Sequence, residues 1–205
     1  VVNRIWTLKT FTGSMKEVAF FNAEMEVSTR NRLFNAPENQ RTYSTVYLND
    51  APGTGHARSM LDSADGWCPY SGAVYMTIDI GEVAKVSGVV TQGRAAFDNT
   101  WSTEYQVSTS LDGITFISVK NSQNELTFAG NSDRNTKVGR FFGTVVKARY
   151  VQIAPVTWSA QSGTCMRAAL YIYESKNPVE VDTDIKTLPS YVHDTTKKYW
   201  TPDRV

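Results

Sequence analysis

Residues 74–80, VYMTIDI, alternate apolar with polar side chains, are rich in β-forming types and end at Gly81. A period of two with one apolar face marks a half-buried strand. Just downstream, residues 86–92 (VSGVVTQ) repeat the pattern as a second strand and end at Gly93. Further along, residues 104–108 place Tyr105 and Val107 on one face. The segment 110–113 (SLDG) follows as a turn, because Asp-Gly supplies a residue tolerant of positive φ. Residues 114–119 then complete a hairpin, and 149–154 (RYVQIA) and 167–173 (RAALYIY) add two more strands. Short strands at roughly ten-residue spacing point to an all-β antiparallel sandwich or jelly roll rather than to βαβ units.

Around this middle zone the texture changes. Residues 1–39 mix aromatic and charged side chains without a clean period; KEVAFFNAEMEV fits a short helix or a strand. From residue 175 the text is polar and punctuated by proline, an extended tail or linker whose Tyr191, Tyr199 and Trp200 are potential anchors. With 41% hydrophobic and 12% aromatic residues in a 205-residue chain, a sizeable core is expected. The balance of 21 basic against 20 acidic residues creates no long-range field for nucleic acid or an anionic membrane. No apolar run is long enough to span a bilayer. The opening, VVNRIWTLKTFTG, lacks the apolar segment of a secretory leader, and a leader removed earlier would leave no trace in it.

Catalysis is not expected. The two histidines, His56 and His193, fall in different zones, and GxSxG, HExxH, P-loop and CxxC patterns are absent. Asp182 and Asp184 alternate on the acidic tail, where solvation accounts for them better than general acid–base work.

Seven segments then fall into a recognisable order: HARSMLDSADGWCPY, VYMTIDIG, VSGVVTQGR, WSTEYQVSTSLDGITF, FAGNSDRNT, ARYVQIAPVTW and CMRAALYIY. In this order, across about 41–173, the chain resembles the discoidin family, also called the coagulation factor V/VIII type C domain. The resemblance implies an eight-stranded antiparallel jelly-roll β-sandwich of the galactose-binding-domain-like class. The domain is expected over 40–174, with 1–39 as an extension packing on it and 175–205 as the tail. The WCP and CMR motifs are closest to the discoidin domain receptor branch, where their cysteines pair. The resemblance therefore implies a Cys68–Cys165 bridge, and with it an oxidising, extracellular or cell-surface location. Two free buried cysteines are the alternative.

Two departures from the family matter. The second disulfide that often ties the family's terminal strands has no cysteines here. Where several carbohydrate-binding members carry a calcium-holding Glu in the last strand, this chain has Ala169, which disfavours a structural calcium; no cofactor is expected. Asp112 and Asp133 are the candidate contributors left to such a site, though they read more readily as turn residues.

The family meets its ligands through loops at one end of the sandwich. These map to about 43–55, 62–66, 94–100 and 157–164. Tyr47 and Leu48 sit at the expected tip of the first loop with Asn49 and Asp50, and Phe97 with Asp98 and Asn99 at the tip of another. Apolar tips suit sugar stacking, lipid insertion or a protein hot spot, unless they fold inward as local core. Asp65 and Arg94 occupy positions that are acidic and basic in the receptors' ligand trench; a structural loop–loop salt bridge is the alternative. Tyr47 and Asp98 only approximate other trench residues, so collagen binding is not carried over. Trp67, Trp101, Tyr105, Tyr150 and Trp158 are expected in the core or bracing loops, and Arg149 and Arg167 are expected to be structural.

Three functions follow. The first is a non-enzymatic recognition or adhesion module for a glycan or an extracellular protein. The second is a structural component of a larger assembly, which meets its partners through the N-terminal segment and the tail. The third is a phospholipid-binding module, disfavoured by Asp50 and the lack of basic residues in the first loop.

Overall fold

The computed structural model describes residues 29–70, 74–96, 99–159 and 163–175. Eight antiparallel strands are β1 (Thr29–Phe34), β2 (Arg41–Tyr43), β3 (Met76–Gln92), β4 (Ser102–Ser110), β5 (Ile117–Val119), β6 (Thr127–Ala129), β7 (Val138–Trp158) and β8 (Arg167–Ser175). Their order is β1-β8-β3-β7-β4-β5, with β2 added to β3 and β6 to β4. Thr29–Phe34, within the segment read from sequence as an extension, is an edge strand paired with β8. The expected packing of residues 1–28, and the assembly role of 176–205, fall outside the described residues.

The two stretches read as separate strands, 74–80 and 86–92, belong to a single 17-residue strand. Gly81 does turn the backbone, at φ +91°, but the ladder resumes beyond it. Opposite β7, the register jumps between Asp79 and Ala84 and again between Val86 and Gly88. Such extra residues bend a strand and sharpen its twist. The bends let β3 change partners: its first part pairs with β2 and β7, its second with β8 and β7. The first half of β7 escapes a reading by periodicity because Gly139, Arg140 and Phe141 break the apolar alternation there.

Between the layers lies a core in which Met76, Ile78, Val89, Val107, Val151, Ile153, Leu170 and Ile172 interdigitate. Trp67 is fully buried and stacks on Tyr43 with ring centroids 5.6 Å apart. Tyr105 stacks on Phe128 at 5.7 Å. The expectation of core for five aromatics holds for Trp67 and Tyr105, and Trp101 is half-buried as a loop brace. It fails for Tyr150, which faces outward because its neighbour Val151 takes the inward position, and for Trp158, which is 47% exposed at the end of β7.

The expected hairpin forms, with β4 and β5 in register at Val107 and Val119. Asp112 closes its loop: Oδ1 accepts from the amides of Ile114 and Thr115, both at 2.9 Å, and from the Ser110 hydroxyl at 2.8 Å. Asp133 closes the β6–β7 loop in the same way, accepting from the amides of Asn135 and Thr136. The amides on Thr115 and Ile114 and the Ser110 hydroxyl hold the Asp112 carboxyl down to about 2.

Cys68 and Cys165 are joined, 97 residues apart in sequence. Beside them Trp67 and Met166 exchange two backbone hydrogen bonds, of 3.0 and 2.9 Å. The bridge thus locks a contact that the ladder already specifies, and its stabilisation comes from closing a long loop in the unfolded chain.

Replacing both cysteines by alanine is expected to lower unfolding stability by about 4 kcal/mol, the loop-closure entropy of a segment this long, without altering the strands; the midpoint of a urea titration measures it. Because the folded Asp112 carboxyl titrates below its unfolded value, its stabilisation is present above about pH 4 and is lost as pH falls towards 2. Hairpin amide exchange in that window accelerates in the wild type, and Asp112→Asn abolishes the pH-dependent component.

Candidate functional site

The loop end is organised from within by two buried guanidinium groups. Arg167, 2% exposed, donates Nε to the Gly93 carbonyl at 2.7 Å, Nη1 to Ser63 at 3.0 Å and Nη2 to Arg134 at 2.8 Å. It thereby ties the turns before Arg94, before Asp65 and after β6. Arg41 does the same one layer away, donating to the carbonyls of Ala36, Ser59 and Ala168. Both are held by carbonyl and amide oxygens instead of a contacting carboxylate, and burial lowers the pKa of each. Arg167 is structural, as expected. Arg149 is too, through a two-pronged bond to Asp79 at 2.9 and 3.0 Å.

The first loop is a 3-10 turn over Tyr47–Asn49 in which Leu48 and Asn49 adopt positive φ, +60° and +57°. For a branched residue such as Leu this conformation is strained. The neighbours hold it: the Tyr47 amide donates to the Cys68 carbonyl at 2.8 Å, and Trp67 Nε1 to the Thr45 carbonyl at 2.8 Å. Tyr47 and Leu48 do not fold inward; they are 44% and 68% exposed. Tyr70, which no motif singles out, is 72% exposed and stacks on Tyr47 with centroids 6.1 Å apart.

Asp50 turns back into its own loop. One oxygen accepts from both the His56 amide and the His56 Nδ1, each at 2.8 Å, and these bonds lower its pKa. With Nδ1 committed to a carboxylate, the neutral ring carries its proton there and presents Nε2 as an acceptor. The ring also meets Tyr47 edge-on, at 5.0 Å.

Asp65 and Arg94, expected as ligand-trench groups, form the alternative, a loop–loop pair, Nε to Oδ1 and Nη2 to Oδ2, with both side chains largely buried. Gly66 fits closely beside them: a Cβ there would stand 3.3 Å from the Arg94 backbone, which would have to give by a few tenths of an ångström. Of the other loop, Asn99 is exposed and its carbonyl accepts from the Ser159 hydroxyl at 2.8 Å. Phe97 and Asp98 lie outside the described residues.

Tyr47 and Arg94, predicted from sequence, meet in a cleft of about 250 Å³ completed by His56, Pro69, Thr164 and the disulfide. Asp50 and Asp65 stand behind it, each against the basic residue that lines it. Leu48 and Asn49 belong to the outer tip and do not line the cleft. His56, Pro69 and Thr164 were missed. His56 had a signal in its position six residues after Asp50, in a loop short enough to fold the two together, whereas Thr164 is brought in by the disulfide beside it and by a 2.6 Å hydroxyl–hydroxyl bond with Ser102.

The F5/8 type C domain family model matches residues 40–170. A discoidin-1 protein of Dictyostelium discoideum is 29% identical over 169 residues, 81% of this chain and 62% of that protein. Neuropilin-1 of Xenopus laevis is 32% identical over 120 residues, 56% of this chain and 13% of that protein. The chain thus spans less than two thirds of the length of these relatives. Among solved structures, recombinant discoidin II of Dictyostelium discoideum superposes with a TM-score of 0.50 at 23% identity, covering 68% of this chain and 57% of that one. An F5/8 type C domain from Bacteroides fragilis reaches 0.52 at 8% identity, covering 71% and 98%. These two likenesses concern the fold. The family match over well over half of the sequence, on the eight-stranded sandwich its motifs imply, means that the chain belongs to the F5/8 type C (discoidin) domain family.

Proposed function

We propose that this chain is a non-enzymatic, extracellular recognition module that binds a glycan in the loop-end cleft, in preference to a flat protein surface. The observation that supports it most is the lining of that cleft. An aromatic ring (Tyr47), a proline ring (Pro69), an imidazole oriented by Asp50 (His56), a guanidinium (Arg94) and Thr164 converge on about 250 Å³. Apolar ring faces beside a few oriented polar groups suit a saccharide, whose faces are apolar and whose edge is hydroxyls. A cleft this small engages one end of a ligand, whereas a stable protein partner needs a far broader contact. The disulfide in the floor supports an oxidising compartment.

The exposed tip supports a second reading, phospholipid binding. Leu48 and Tyr70 project outside the cleft with no polar duty, and no helix among the described residues is long and apolar enough to cross a membrane.

The two readings respond to different substitutions. On a glycan array followed by calorimetry, Tyr47→Ala and His56→Ala each weaken glycan binding by about tenfold or more, about 1.4 kcal/mol, while Leu48→Ala changes it less than about twofold. Binding to phosphatidylserine vesicles that disappears with Leu48→Ala, together with an empty array, would replace the glycan reading with the lipid one.

A further inference from the structure

We propose a second saccharide site, separate from the loop end, on the outward face of the sheet between Tyr75 and Tyr150, with an uncharged oligosaccharide as its ligand. The register builds it. Thr42 lies opposite Thr77 across β2 and β3, Thr77 opposite Gln152 across β3 and β7, and Gln152 opposite Ser108 across β7 and β4. Their sequence neighbours Arg41, Met76, Ile78, Val151, Ile153 and Val107 are buried, so this row points away from the core. Four strands thus present an unbroken polar row.

Continued by one residue, the same register puts Tyr75 beside Ala154. Tyr75 and Tyr150 therefore flank the row on opposite sides, about 13 Å apart along the strand direction. Tyr150 is fixed as an end wall. Arg149 stands 5.0 Å from its ring centre, and Gly113 packs so close on the ring that a Cβ there would lie 3.2 Å away. Tyr75 is free to act as the platform, 37% exposed. The β4–β5 loop overhangs with Gly113 and Phe116, closing a cleft of about 350 Å³.

Chemistry selects the occupant. Among the described residues Asp112 is the one charged group in the lining, and its Oδ1 is spent on Ser110, Ile114 and Thr115. No cation in the lining awaits an anionic ligand. On this face the strands present side chains, while the ladder groups lie in the plane of the sheet. What remains for a ligand is side chain. The Gln152 carbonyl accepts from Ser108 at 3.5 Å, while its amide nitrogen and the Thr42, Thr77 and Tyr150 hydroxyls bond to none of the described residues. Aromatic faces with amide and hydroxyl groups, beside a single carboxylate that disfavours an anionic ligand, match a neutral polyhydroxylated chain longer than one ring.

The test is an NMR titration of the isotope-labelled chain with lactose, lacto-N-tetraose, cellotetraose, mannotriose and triacetylchitotriose, each to ~20 mM, where weak millimolar binding is visible. At least one probe is expected to shift the Gln152 side-chain amide and the Thr42 and Thr77 backbone amides saturably. Those shifts persist in Tyr47→Ala/His56→Ala, which disables the loop end. They weaken by about tenfold in Tyr75→Ala and in Gln152→Ala, both outward-facing, with the remaining spectrum unchanged. Shifts confined to the loop end, or lost together with it in the double variant, overturn the second site and leave the loop-end reading standing. Absence of any shift at Thr42, Thr77 and Gln152 across all five probes also overturns it.

Discussion

The buried guanidinium of Arg167 is the constraint on which the loop end depends. A charge taken out of water is tolerable only when its donors are satisfied. Here the carbonyls of Gly93, Ser63 and Arg134 do this, each from a different loop. Moving any of the loops strands a donor, so the loops are positioned together or not at all. Arg41 repeats the arrangement with Ala36, Ser59 and Ala168. The Cys68–Cys165 bridge and the Trp67–Met166 backbone pair then sit beside a framework that is already rigid.

That rigidity lets the surface carry strain. Leu48 at positive φ is costly for a branched side chain, yet it is retained where the Tyr47 amide and Trp67 indole anchor the turn on either side. The cleft inherits the same order. His56 and Arg94 each have a carboxylate behind them, which fixes where the imidazole ring and the guanidinium point. For the proposed glycan, preorganisation of this kind would reduce the entropy lost on binding. The sheet face differs in kind: its groups are aligned by strand register alone, and alternation along β3 and β7 sets them in a row.

Much of the fold was legible because it rests on local chemistry. Alternation located the cores of β3, β4 and β8, and Asp-Gly located the hairpin whose loop Asp112 closes. The motif order carried the disulfide pairing. Less visible were β1, β6 and the first half of β7. These are edge or bent segments, in which one side faces solvent or a bulge shifts the period, so alternation fades. At the loop end, Tyr47, Asp65 and Arg94 were singled out because the family resemblance maps its ligand-meeting loops onto their positions. Tyr70 was missed because nothing local distinguishes an exposed tyrosine from a buried one.

Periodicity, turn chemistry and motif order were enough, from the sequence alone, for the class of fold, the hairpin, the cysteine pair and the loops that gather at one end. Other outcomes needed the folded chain: residues 76–92 run as one bent strand, and Tyr150 and Trp158 face outward. Asp50 and Asp65 likewise take their places behind His56 and Arg94 only once the loops are packed. These features depend on register and on which distant carbonyls meet a buried charge, and such pairings between residues far apart in the chain leave no local mark.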